Sequence, residues 1–158
     1  MMISGDLTAP VDSSLAVEFD DDPARIDREA LWEFMRDHAY WGRWRGREVL
    51  ERQLDASWRV VGVYHPSTQQ MIGFARAVSD GQSLAYLADL YVLPEYRGAG
   101  LGVRLLRTMV DEGPGSHFRW MLHTKDAHGL YAKAGFRPPD ETYLERPGHA
   151  PRAGQPPI

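Results

Sequence analysis

The chain of 158 residues contains no cysteine, which excludes disulfide bridges, thiolate metal sites and a covalent cysteine nucleophile. Lysine stands only at positions 125 and 133, so arginine carries nearly all of the positive charge. The formal net charge of −4 disfavours a nonspecific grip on nucleic acid, which needs excess positive charge against the phosphates. No apolar run approaches the roughly 20 residues of a membrane-crossing helix, and the amino terminus lacks a basic segment followed by an apolar stretch. No nucleic acid partner, no membrane and a cytoplasmic location are the expectations. The six histidines show no H-E-x-x-H or comparable spacing, and no metal is predicted.

What is present suits one globular domain of ordinary size. Residues 1–14 and 148–158 lack apolar periodicity and are predicted as flexible tails around a domain at 15–147. Within it, residues 15–19 suggest a strand. Asp27 is placed to cap a helix carrying Leu31, Phe34, Met35 and His38 on one face, and Val49, Leu50 and Leu54 suggest a second, shorter helix. Residues 58–65, 71–78 and 84–92 are β-rich and separated by turn formers, which predicts three consecutive antiparallel strands. Leu101, Leu105, Leu106, Met109 and Val110 define the apolar face of a helix. A strand at 118–123, a helix over 127–134 ended by Gly135 and a last strand at 143–145 complete the pattern. The fold class is α+β with a mixed sheet, in the order β-α-α-β-β-β-α-β-α-β.

The chemistry concentrates in Leu90-Tyr91-Val92-Leu93-Pro94-Glu95-Tyr96-Arg97-Gly98-Ala99-Gly100-Leu101-Gly102, a strand that passes through a glycine-rich turn into a helix. Glycines permit positive φ and let a ligand approach the backbone amides. The helix start adds unpaired N–H groups and a positive dipole end, and together they make an anion site. The phosphate loop of nucleotide hydrolases requires Gly-Lys-Ser/Thr where Gly102-Val103-Arg104 stands, and the dinucleotide fingerprint requires glycine at Val103. Both nucleotide readings fail. The remaining pattern, R-x-x-G-x-G from Arg97 to Gly102, resembles the pyrophosphate loop of the GNAT acetyltransferases. Leu130-Tyr131-Ala132-Lys133-Ala134-Gly135-Phe136 resembles that family's second signature, L-Y-x-x-x-G-F, in the right order and on the right element. Two departures stand out: Thr124 occupies a place where the family often has Asn, and Gly129 lies inside a helix.

The resemblance implies acetyl-coenzyme A as cosubstrate, with coenzyme A as product. The backbone of Leu90, Tyr91 and Val92 would pair with the pantetheine arm, and the amides of Arg97, Gly98, Ala99, Gly100, Leu101 and Gly102 would hold the pyrophosphate. Tyr131 would sit at the thioester sulfur. The acceptor is expected to be a small-molecule or peptide amine. An amine with a pKa near 10.4 must lose a proton before it attacks, and Asp89 is the candidate base, with Tyr86 or ordered water as rivals. Tyr40, Trp44 and Tyr86 are candidate acceptor-binding residues, with Trp41 and Trp44 either lining that pocket or fastening the helices to the sheet. The absence of cysteine favours direct transfer without a covalent enzyme intermediate. A noncatalytic acyl-CoA-binding module is the alternative, and the family resemblance leaves room for a homodimer through the terminal strands.

Overall fold

The computed structural model describes residues 15–40 and 44–148. The expected tail at 1–14, Trp41, and all of 148–158 except Gly148 lie outside the described residues. Five strands form one sheet in the order β1 (Glu18–Asp20), β2 (Arg59–Tyr64), β3 (Met71–Ser79), β4 (Leu84–Val92) and β5 (Arg119–Met121). The first four are antiparallel to their neighbours, and β5 is parallel to β4. A parallel step needs a crossover, and α3 (Leu101–Val110) supplies it.

Helices α1 (Arg28–Asp37) and α2 (Arg47–Asp55) cover one face of the sheet. The Asp27 carboxylate accepts from the Ala30 N–H at 3.0 Å, as the capping pattern requires. Leu31, Phe34 and Met35 are buried, and the Phe34 ring stacks on Tyr91 of β4 with centroids 3.7 Å apart. His38 departs from the expected stripe: α1 ends at Asp37, so His38 becomes its exposed C-cap and Ala39 takes the buried place. Helix α3 packs Leu101, Leu105, Leu106, Met109 and Val110 against the opposite face, with α4 (His128–Ala132) beside it. Because β2, β3 and β4 are covered on both faces, their apolar residues run almost continuously.

Strands β2 to β4 and helix α3 match their expected spans within about one residue at each end, but the strand expected at 143–145 is not formed. Residues 137–148 are exposed irregular chain, and Leu144 is 91% exposed. Pro138 and Pro139 offer no N–H to a ladder, and an apolar residue facing water gives the segment no reason to dock on the sheet.

Candidate active site

The sheet opens beside β4. That strand pairs with β5 through Leu84, Ala85 and Tyr86 alone, while its pairing with β3 continues to Val92. From Leu87 onward, the β5 side of β4 is a free edge. The antiparallel alternation tells which backbone groups face it. Leu93 donates to the Ile72 carbonyl at 2.8 Å, so Tyr91 opposite Phe74 belongs to the same bonded set. Leu90 and Val92 therefore turn their N–H and C=O away from β3, and the Val92 carbonyl accepts from Arg97 Nε at 2.9 Å on that other side. Of the three backbone candidates, Leu90 and Val92 line the free edge. Tyr91 does not: β3 takes its polar groups, and its ring packs on Phe34.

The free edge leads into the glycine turn. Gly98 and Gly100 have φ of 90° and 75°, a region that side chains with a Cβ enter at a cost of about 1–2 kcal/mol. Gly100 is the N-cap of α3 and provides no side-chain cap. Among the described residues, the N–H groups of 98–103 donate to no carbonyl or side chain; the first helical bond runs from Arg104 N to Gly100 O. These amides lie at the positive end of α3, the arrangement an anion requires. Arg97 differs from the expectation. Its own N–H bonds to Pro94 O, and its guanidinium, brought below its ordinary pKa by burial, braces the turn against β4.

Tyr131 lies on α4, held by the turn that closes the helix: Gly135 has φ of 83° and the Phe136 N–H returns to Tyr131 O at 3.1 Å. Tyr131 is only 2% exposed, yet its buried hydroxyl has no hydrogen-bond partner. Leaving such a group unsatisfied costs about 1–3 kcal/mol. Burial raises the phenol pKa well above its usual value, with Tyr40, Asp126, Asp89 and Tyr86 adding to the effect. The hydroxyl thus remains a neutral donor inside an apolar wall.

Asp89 stands at a bulge in β4, where the register to β3 shifts between Arg76 and Ala77. It is 1% exposed and lies between two guanidinium groups that are 5% and 6% exposed. Arg45 grips it bidentately, with Nη1 at 3.0 Å and Nη2 at 2.8 Å, and Arg76 Nε donates at 2.5 Å. Burial alone would raise the carboxyl pKa. The Arg45 hydrogen bonds and the charges of Arg45 and Arg76 outweigh it and hold the group at about 2. The geometry speaks against Asp89 as the amine's base: a carboxylate with so little proton affinity, sealed by two cations, is an anchor that ties the segment before α2 to the sheet.

Tyr86, the last β4 residue paired to β5, hydrogen-bonds to His123 Nδ1 at 2.8 Å, and His123 Nε2 lies 2.8 Å from Glu145 Oε2. His123, Glu145 and Tyr131 line one open cavity of about 1090 Å³. Sequence reasoning missed His123 and Glu145, since no local pattern joins residues 22 apart in the chain. The parallel pairing of Tyr86 with Met121 is what carries His123, two residues on, to the tyrosine. Arg45 and Arg76 were missed too, although a lone charge between Ala75 and Ala77 in an apolar strand signals a buried pair. Tyr40 is exposed beside Lys125, whose Nζ lies 6.0 Å from its ring centroid, and Trp44 is half-buried next to Arg45. Among the described residues, no His, Asp and Glu group could hold a metal ion, and no helix is long and apolar enough to cross a membrane.

Known proteins share this fold. A candidate acetyltransferase of the GNAT family from Xanthomonas campestris pv. campestris is 31% identical, with a TM-score of 0.75 over 82% of this chain and 92% of that one. A candidate acetyltransferase from Deinococcus radiodurans R1 is 28% identical, with a TM-score of 0.60 over 84% of this chain and 91% of that one. A candidate acetyltransferase of Gibberella zeae is 30% identical over 110 residues, 68% of this chain but 60% of its own length, so the match leaves a large part of that relative uncovered. Residues 24–136 match the acetyltransferase (GNAT) family. With the split β4 edge, the glycine turn and the tyrosine helix all inside that span, the chain belongs to the GNAT family of acetyltransferases.

Proposed function

We propose that the protein transfers the acetyl group of acetyl-coenzyme A directly to an amine. One observation carries this reading: the backbone edge at Leu90 and Val92, where Arg97 takes only the Val92 carbonyl, runs to the unpartnered amides of 98–103, and Tyr131, packed in the same core as Leu90 and Val92, holds an unpartnered buried hydroxyl. An extended amide chain ending in phosphates fits the edge and the turn. A sulfur fits the orphan hydroxyl. Acetyl-coenzyme A, when bound, supplies an activated acyl carbon.

The residues of the chain then have distinct tasks. Leu90 and Val92 orient the donor by strand-like pairing, and the Val92 N–H, turned away from β3, serves as the backbone donor for charge developing on the carbonyl oxygen. Tyr131 donates to the departing sulfur. A thiol has a pKa near 8.5 and an unperturbed tyrosine one near 10, and burial raises Tyr131 further. Full proton transfer from it is uphill, so Tyr131 stabilises thiolate by hydrogen bonding. Tyr40, Trp44 and Tyr86 frame the acceptor side.

Calorimetric titration with acetyl-coenzyme A tests the donor, with ATP and NAD as controls. Micromolar binding of acetyl-coenzyme A alone is expected. Thiol release with a panel of amines then tests turnover, free of background because the chain has no cysteine. Absence of acetyl-coenzyme A binding overturns the reading. Binding without release in the presence of any amine reduces the protein to an acyl-CoA-binding module.

A further inference from the structure

We propose that Tyr86, His123 and Glu145 form the relay that deprotonates the acceptor amine, with the Tyr86 oxygen touching the amine and the proton coming to rest on His123; this rests on the acetyltransferase reading above. With His123 neutral, the hydrogen bonds assign every donor. A carboxylate only accepts, so the 2.8 Å contact at Glu145 takes the single N–H of a neutral imidazole, on Nε2. Nδ1 is then an acceptor, and the 2.8 Å contact there is a bond donated by the Tyr86 hydroxyl. The phenol oxygen also meets the His123 backbone N–H and keeps one lone pair for a further donor, and an incoming ammonium is such a donor.

Position supports the assignment. Tyr86 is the residue at which β4 parts from β5, which places it at the mouth of the opening where donor and acceptor meet. His123 and Glu145 share their cavity with Tyr131, and the Tyr131 phenol senses Tyr86 as a near neighbour. Two further carboxylates lie in this region: Asp89 is committed to two arginines, and Asp126 is engaged with Tyr40. Tyr86 itself holds its proton firmly, chiefly through burial and then through Tyr143, Glu145 and Asp89, which suits a conduit rather than a resting place for charge.

The step balances. An ammonium N–H bond breaks as an O–H bond forms on Tyr86, and the original Tyr86 proton moves to His123 Nδ1, leaving imidazolium beside the Glu145 carboxylate. The freed nitrogen lone pair forms the C–N bond to the thioester carbon as the C–S bond breaks. The second excess proton on nitrogen goes to the departing sulfur, and His123 returns its proton to water.

The test compares nucleophiles. His123→Gln, Tyr86→Phe and Glu145→Gln are assayed by thiol release with phenethylamine, spermidine and N-α-acetyllysine, and with hydroxylamine, which is already neutral at pH 7. General-base catalysis contributes typically 10²–10⁴-fold. His123→Gln and Tyr86→Phe are expected to lower kcat/KM for the alkylamines by about 100-fold or more, and Glu145→Gln by about tenfold, each shrinking to within about threefold for hydroxylamine. Equal losses for both kinds of nucleophile mean a packing role and overturn the relay, as does unchanged alkylamine turnover. Acetyl-coenzyme A affinity, measured on every variant, separates the two readings: wild-type protein that fails to bind it defeats the acetyltransferase reading itself. Wild-type protein that binds it but turns over none of these amines overturns the relay as well.

Discussion

Asp89→Asn distinguishes an anchor from a base, because the substitution keeps the side chain's shape and removes its charge. In the native protein three guanidinium N–H groups share the two carboxylate oxygens. The amide offers one oxygen, turns an NH₂ toward one of the donors and leaves two buried cations without a counter-charge. Removing one partner of a buried charge pair costs about 3–5 kcal/mol, a large share of a domain stability of roughly 5–15 kcal/mol. With a urea m-value of about 2 kcal/mol/M, the unfolding midpoint should fall by about 2 M, followed by the fluorescence of the five tryptophans. The pH dependence supplies a second arm. The folded carboxyl titrates at about 2 against 3.8 for the unperturbed group, so between those values the unfolded chain binds more protons and stability rises with pH. The contribution, roughly 2–3 kcal/mol, is complete above about pH 4 and is lost as pH falls through 2. Asp89→Asn should lack this part of the wild-type acid sensitivity. A variant whose urea midpoint stays within about 0.3 M of wild type, while kcat/KM drops 100-fold, would refute the anchor and restore Asp89 as base.

Other outcomes follow from the same geometry. Replacing Arg45 and Arg76 with Met together with Asp89→Leu exchanges the ionic cluster for apolar volume, and urea titration should recover most of the stability that Asp89→Asn loses. Tyr131→Phe removes an unsatisfied buried hydroxyl, so the fold should be as stable as wild type or about 1 kcal/mol more so, while thiol release slows by about 10–100-fold. Gly100→Asp meets no atom within 4 Å of its new Cβ but sits at φ of 75°, which predicts a loss of about 1–2 kcal/mol and abolished acetyl-coenzyme A binding in calorimetry. Asp27→Ala removes the cap of α1 and should cost about 1 kcal/mol without changing coenzyme affinity.

Much of the frame is legible in the sequence, because its signals are local. Periodicity located α3, alternation and turn residues located β2 to β4, and Asp27 marked the start of α1. Gly98 and Gly100 announced a turn with positive φ, and that turn together with the tyrosine signature pointed to an acetyltransferase. Each of these features depends on residues a few positions apart, where backbone geometry dictates the spacing. What the tertiary structure alone decided involves partners distant in sequence. The parting of β4 from β5 after Tyr86 and the pairing with β3 set the direction of the backbone groups: those of Tyr91 turn toward β3, those of Leu90 and Val92 away from it. Arg45 and Asp89 lie 44 residues apart, and their burial together gives the candidate base two guanidinium partners. Tyr86 and His123 lie 37 apart, joined by a parallel pairing whose register no local pattern encodes. Charge and proton affinity at such places are set by the neighbours the fold brings in, and those neighbours come from the packing of whole elements against one sheet.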